Sequence, residues 1–170
     1  MKRADYLAFR RQYEPTSPRL IILAESPPFS GKYFYNPGGA VTEPLFSAMM
    51  EQIGVKPLSK ELGLRQLQGK GWLLVDATYE PVNDYTDPRK AEVILRDYHL
   101  LLDDLVHLSP DGSVPIVLIK VNVCRLLEPR LSNDGFDIIN HGRAIPFPSS
   151  GQQKKFRFGF SDVVLRAGLK

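Results

Sequence analysis

The chain has one cysteine, Cys124, and three histidines. A single thiol excludes a disulfide framework, and it excludes a Cys-ligated zinc or iron–sulfur site built within one chain. His99, His107 and His141 are too scattered to read as a metal set. Long apolar runs are also missing, so no segment has the length of a membrane span. The opening stretch, MKRADYLAFRRQYEP, is charged and lacks the apolar core of a signal peptide. Charge of one sign is scarce: 22 basic residues against 19 acidic leave +3, which permits a nucleic-acid partner without requiring one. No G-x-G-x-x-G or P-loop motif follows an apolar run, and no G-x-S-x-G elbow is present. Dinucleotide enzymes, P-loop NTPases and ordinary serine hydrolases are thereby disfavoured. With no repeat and no linker, the expectation is one domain over residues 1–170, in a soluble, cytoplasmic, monomeric protein.

What is present is ordinary globular composition, 43% hydrophobic and 24% charged, enough to bury a core. Short apolar runs bounded by turn signals predict strands at Arg19–Glu25, Trp72–Thr78 and Val114–Val121, and a fourth within Phe136–Pro146. Helical spacing predicts helices over 3–13, Thr42–Ile53 (Thr42 as cap), Pro88–Leu108 (Asp87 as cap), Val123–Leu131 and Ser161–Leu169 (Ser161 as cap). Ser149–Gly159 reads as a basic polar loop. Alternating strands and helices, with strands apolar throughout, imply an α/β fold. A mainly parallel four-stranded sheet is expected between helical layers.

Such sheets bind ligands beyond the carboxyl ends of their strands. Each predicted strand ends in something polar: Glu25 and Ser26, then Asp76, then Lys120 and Asn122, then Ser149 and Ser150. Glu25 suits a general base or a stabiliser of a positive transition state; the alternative, which position alone favours, is a strand-end acid capping its loop. Asp76, inside WLLVDAT, must find donors; a ligand N–H or neighbouring backbone amides would serve. Phe29, Tyr33, Phe34 and Tyr35 crowd one Gly/Pro loop, either as a stacking floor for a flat ligand or as a plug on the core. Ser149, Ser150 and Gly151 beside Lys154, Lys155 and Arg157 suit phosphate contacts, or form a solvated face. His141 lies near the end of the predicted fourth strand, within possible reach of the cleft.

Together these segments resemble the uracil-DNA glycosylase superfamily, from about Leu20 onward. LAESPPFSGKYFYNPGG is similar to its first motif: Ala24-Glu25-Ser26-Pro27-Pro28 aligns with a Gly-Glu-Ala-Pro-Gly type, Glu25 matches the acidic position that positions water, and Phe34 resembles the aromatic that stacks on the flipped base. In LLVDAT, Asp76 occupies the place of the Asn that reads the uracil edge. PFPSSGQQKKFRFGFSDVV is similar to the His-Pro-Ser motif with its DNA-penetrating loop, Phe147-Pro148-Ser149 carrying Phe in place of His. Pro28 stands where Gly or Tyr is usual, so the resemblance is to a divergent branch, one without the four-cysteine iron–sulfur cluster.

The resemblance implies a monofunctional glycosylase of DNA base-excision repair that acts on uracil-containing DNA and leaves an abasic site. It implies Glu25 as the catalytic carboxylate and His141 as a partial substitute for the motif His. It implies Ser26, Pro27, Phe34, Asp76, Phe147 and Ser149 around the base. It implies Ser150, Gln152, Gln153, Lys154, Lys155 and Arg157 on DNA, with Gln152 or Gln153 wedging into the vacated stack. No metal or organic cofactor is called for. A nucleic-acid-binding module without the chemistry, and a nucleoside or nucleotide hydrolase, are the alternatives.

Overall fold

Three apolar runs become three parallel strands in the computed structural model, which describes residues 1–169: β1 (Leu20–Ala24), β2 (Trp72–Asp76) and β3 (Ile116–Leu118). The order is β2-β1-β3. Ala24 pairs with Asp76 and Leu23 with Leu118, so the three carboxyl ends lie together. Every strand residue is buried. Because successive side chains point to opposite faces, both faces of the sheet are covered, which is why the runs show no polar alternation. The fold is α/β, with a three-stranded rather than a four-stranded sheet.

The predicted fourth strand is replaced by an irregular edge. Only Ile138 bridges β3, opposite Ile116. Two residues later a side chain takes over from the backbone. The Asn140 amide accepts from the Leu118 N–H at 2.7 Å and donates to the Leu118 carbonyl at 2.9 Å. The chain then turns away through His141 and Gly142, both at positive φ (47° and 81°). It returns at Ile145, whose carbonyl accepts from the Lys120 N–H at 2.8 Å. The edge of β3 is thus hydrogen-bonded without a ladder, and its buried polar groups are satisfied.

Among the described residues seven helices surround the sheet: α1 (Arg3–Arg11), α2 (Pro44–Gln52), α3 (Lys60–Lys70), α4 (Asp87–Arg96), α5 (Tyr98–Leu108), α6 (Val121–Asn133) and α7 (Gln153–Arg166). The cap of α2 is Glu43 rather than Thr42, and that of α4 is Thr86 rather than Asp87. The long helix expected over 88–108 breaks at Asp97, whose carboxylate is held by the Thr78 hydroxyl at 2.6 Å and by Arg96. α7 begins eight residues before the expected start. Phe156, Phe160, Val163 and Val164 form its buried stripe, and Ser161 is mid-helix, donating to Gln52 Oε1 at 2.9 Å. No helix among the described residues is long and apolar enough to cross a membrane.

Helical spacing gives no sign of α3, because KELGLRQLQGK carries two glycines and a thin apolar stripe. Its ends carry the order instead. Ser59 Oγ accepts from the Leu62 N–H at 3.2 Å, and Gly71 closes the helix at φ 79°. Gly63 admits no side chain: a Cβ there would lie 2.5 Å from the Phe46 ring. Ser59→Ala is expected to cost about 1 kcal/mol, or about 2–4 °C in melting temperature. A calorimetric melt of the variant checks this, and an unchanged midpoint would mean the cap contributes nothing.

Candidate active site

The carboxyl ends of the strands open into a cavity of about 450 Å³, within the usual span of small-molecule sites, roughly 300–1,000 Å³. Its walls come from segments far apart in the chain. Glu25, Ser26, Pro27, Tyr33 and Phe34 follow β1, Asp76 ends β2, Lys120 follows β3, and Phe147 and Ser149 precede α7.

The aromatic loop is pinned from beneath. As a strand with one neighbour, β2 has an unpaired edge at Leu74. The Tyr35 hydroxyl fills it, accepting from the Leu74 N–H at 2.7 Å and donating to the Leu74 carbonyl at 3.0 Å. Buried Lys60 of α3 donates to the Tyr33 carbonyl at 2.8 Å and to Glu43 at 2.6 Å, tying the same loop to the start of α2. Tyr35 and Phe46 meet the Phe34 ring at centroid distances of 5.0 and 5.9 Å. Phe34 is therefore a fixed cavity wall. At the rim, Asn83 accepts from the Phe29 N–H at 2.8 Å, and Ser26 Oγ accepts from the Val82 N–H at 3.3 Å. Phe29 itself is exposed.

Glu25 is only 4% exposed. One carboxylate oxygen accepts from Lys120 Nζ and the other from the Asn122 amide. Asn122 sits in the first turn of α6, so the carboxylate also lies at a helix N-terminus, where negative charge is favoured.

Asp76 is equally buried, and its Oδ2 has no hydrogen-bond partner. Burial pushes its carboxyl up to about 7. The nearby Arg10 guanidinium works against the rise, while Asp104 and Glu25 add to it. Arg10 itself is held by a bidentate pair with Asp104 at 2.6 and 2.7 Å, and donates to the Tyr79 hydroxyl at 2.9 Å. The Tyr33 hydroxyl is also buried and unpartnered. Its pKa is raised by burial first and by Asp76 second. Two of the three unsatisfied buried side-chain polar atoms among the described residues thus belong to residues that line this cavity, and such atoms call for an explanation.

His141 does not join them. It sits in the exposed turn beside Asn140 and is absent from the cavity wall, because the fourth segment leaves the sheet before reaching the cleft. Ser150, Gln153, Lys154, Lys155 and Arg157 are exposed around the start of α7, and Gln152 is half-buried at its N-terminus. The Gln152 N–H donates to the carbonyl of the cavity-lining Ser149 at 2.9 Å, so this basic end adjoins the cleft. Arg157 also pairs with Glu51 at 2.7 Å.

No protein-family model matches the chain, and no curated protein matches it. The chemistry open to the cavity is set by its residues. An aromatic wall can hold a flat ring. An acid near half-protonation at neutral pH offers one donor and one acceptor when neutral. A buried carboxylate paired with an ammonium gives two opposite charges at one point. In the sequence Lys120 and Asn122 are no more than polar residues after a strand, with nothing local to assign them a role. The strand-end rule that singles out Glu25 also picks out both of them, and the signal for a role was that shared position.

Proposed function

We propose that this chain is a DNA glycosylase of the uracil-DNA glycosylase type, acting as a monofunctional hydrolase on uracil flipped out of DNA. The supporting observation is convergence. The residues that carry the resemblance, Glu25 and Phe34, Asp76, and Phe147 with Ser149, line one cavity at the carboxyl ends of parallel strands. On this reading the uracil-DNA glycosylase-like architecture has lost its fourth strand to the Asn140 edge. The protein works as a cytoplasmic monomer in base-excision repair.

A base inside a duplex is out of reach, so it is extruded at a cost of a few kcal/mol. Phe34 faces the extruded ring. Neutral Asp76 accepts from the ring N–H and donates its own O–H to the neighbouring carbonyl. As the C1′–N1 bond breaks, its electron pair leaves with the base and positive charge develops on the sugar. Glu25 stabilises that charge and orients the water that adds to C1′; the proton this water loses passes by way of the carboxylate to the departed base anion, which leaves as neutral uracil. Lys154, Lys155 and Arg157 hold phosphates, a term that weakens with salt.

The test is a labelled oligonucleotide with one uracil, incubated with the protein and treated with alkali, beside a matched thymine control. Strand breaks that need uracil support the proposal. Binding without breaks would leave a nucleic-acid-binding module. Release of uracil from free deoxyuridine but not from DNA would make the protein a nucleoside hydrolase.

A further inference from the structure

Lys120 is the cavity residue with the most unusual backbone. Among the described residues only it and His141 are non-glycine residues at positive φ, and Lys120 lies at φ 75°, ψ 124°, outside the left-handed helical well. A side chain held in such a conformation has to be over-determined by its surroundings, and such residues cluster at functional sites. Here the restraints are visible. The Ile119 N–H donates to the Leu23 carbonyl at 3.0 Å, the Lys120 N–H to Ile145 at 2.8 Å, and the Cys124 N–H to the Lys120 carbonyl at 3.0 Å. These bonds turn the chain abruptly from β3 into α6 and carry the side chain to the cavity wall.

The amine there is paired but not used up. Nζ donates to Glu25, and it has no other hydrogen-bond acceptor among the described residues. An ammonium carries three donors, so two remain. The Lys120 side chain is 28% exposed against 4% for Glu25, so the pair is buried at its anionic end and open at its cationic end. The rest of the wall offers no second cation at this depth. Lys32 is exposed, and Phe147 supplies no donor from its side chain.

Cleaving a glycosidic bond separates charge: positive on the sugar, negative on the departing base. Groups fixed in advance against the charge that develops are worth the most in a water-poor site. A fixed carboxylate–ammonium pair is a dipole of that form. We propose that Lys120 is a catalytic residue whose ammonium hydrogen-bonds the departing base and stabilises its negative charge, while Glu25 serves the sugar. This rests on the glycosylase reading. It assigns the substrate class as bases whose leaving anion is delocalised onto a ring carbonyl. No covalent bond to Lys120 is formed.

The decisive experiment compares leaving groups. Single-turnover excision is measured for wild type and Lys120→Met on oligonucleotides carrying uracil or 5-fluorouracil, whose anion is intrinsically more stable. With uracil the variant is expected to lose roughly 10²–10³-fold, and with 5-fluorouracil at least about tenfold less than that, because a better leaving group needs the cation less. Lys120→Arg, which keeps the charge, should recover part of the uracil rate. Equal losses on both substrates would overturn the assignment and leave Lys120 a structural partner of Glu25. If Lys120→Met does not fold, the comparison is run between Glu25→Gln and Glu25→Gln/Lys120→Met, which buries no lone charge. The 5-fluorouracil preference should then rise only when the lysine is removed. Cyanoborohydride trapping of wild type on a preformed abasic site, with the adduct mapped to Lys120, would make the amine a nucleophile and also overturn it. Wild type that excises neither base defeats the glycosylase reading itself, a result distinct from equal losses in an active enzyme.

Discussion

Glu25→Gln is expected to slow uracil excision by roughly 10²–10³-fold while leaving a folded protein. The side chain keeps its shape and loses its charge. Both of its present partners are donors, Lys120 and the Asn122 amide, so the new amide N–H would face a donor on one side. Asn122 can resolve this by turning its own amide over, because its Oδ1 is buried and has no partner. Lys120 then lacks a counter-charge. Its partial exposure limits the penalty to about 1–3 kcal/mol, below the cost of stranding a fully buried charge. Single-turnover kinetics beside a urea melt separates the two effects. A drop in rate far larger than the change in stability places the carboxylate in the chemistry. A rate that falls only as the folded fraction falls would sink the assignment and leave Glu25 an element of the fold.

The strands were legible because parallel strands buried on both faces must be apolar at every position, and RLIILAE, WLLVDAT and VPIVLIKV are such runs. The fourth was not, because its place beside β3 is taken by an amide side chain. A period-two pattern cannot announce Asn140 doing the work of a backbone. α7 was half legible. Its stripe of Phe156, Phe160 and Val163 follows helical spacing, but the polar stretch up to Gly159 reads locally as a loop and Ser161 as a cap. Tertiary packing overrode both: Gly159 lies against Ile145, and Ser161 finds Gln52.

The cavity shows the same division. Residues that follow a strand in sequence are found by the rule that ligands bind at strand ends, which gives Glu25 and Asp76, and the Phe34 loop stands out by its crowded aromatics. Their mutual arrangement was not. Whether Lys120 faced the cleft depended on a positive φ in a non-glycine residue, which no propensity anticipates. Likewise His141 was linked to the cleft by assuming a regular strand, and the turn at His141–Gly142 removes it. Errors of this kind arise wherever one backbone torsion decides which way a side chain goes.

Asp76→Asn is expected to make the protein more stable at pH 8 and to change little at low pH. In the unfolded chain this carboxyl ionises near 3.8, and in the fold burial holds it to about 7. Below the lower value both states are protonated and burial costs nothing extra. Between the two values the unfolded chain gives up its proton while the folded chain keeps it, so stability falls as pH rises. Above the folded value the full penalty is present, on the order of 4 kcal/mol at about 1.4 kcal/mol per unit. An amide cannot ionise, so urea melts of the variant and wild type should coincide near pH 4 and diverge steadily toward pH 8. A constant difference across that range would mean that Asp76 does not titrate in the fold. The same substitution separates the two readings of the site. A neutral carboxylic acid and an amide each present one donor and one acceptor, which is what a ring N–H beside a ring carbonyl requires, whereas an ionised carboxylate presents acceptors only. Excision by wild type should therefore decline as pH rises through about 7, and Asp76→Asn should remove that decline while Asp76→Ala abolishes most activity at every pH. If the amide variant is as inactive as the alanine one, Asp76 is needed as an acid or a base and the edge-reading role fails.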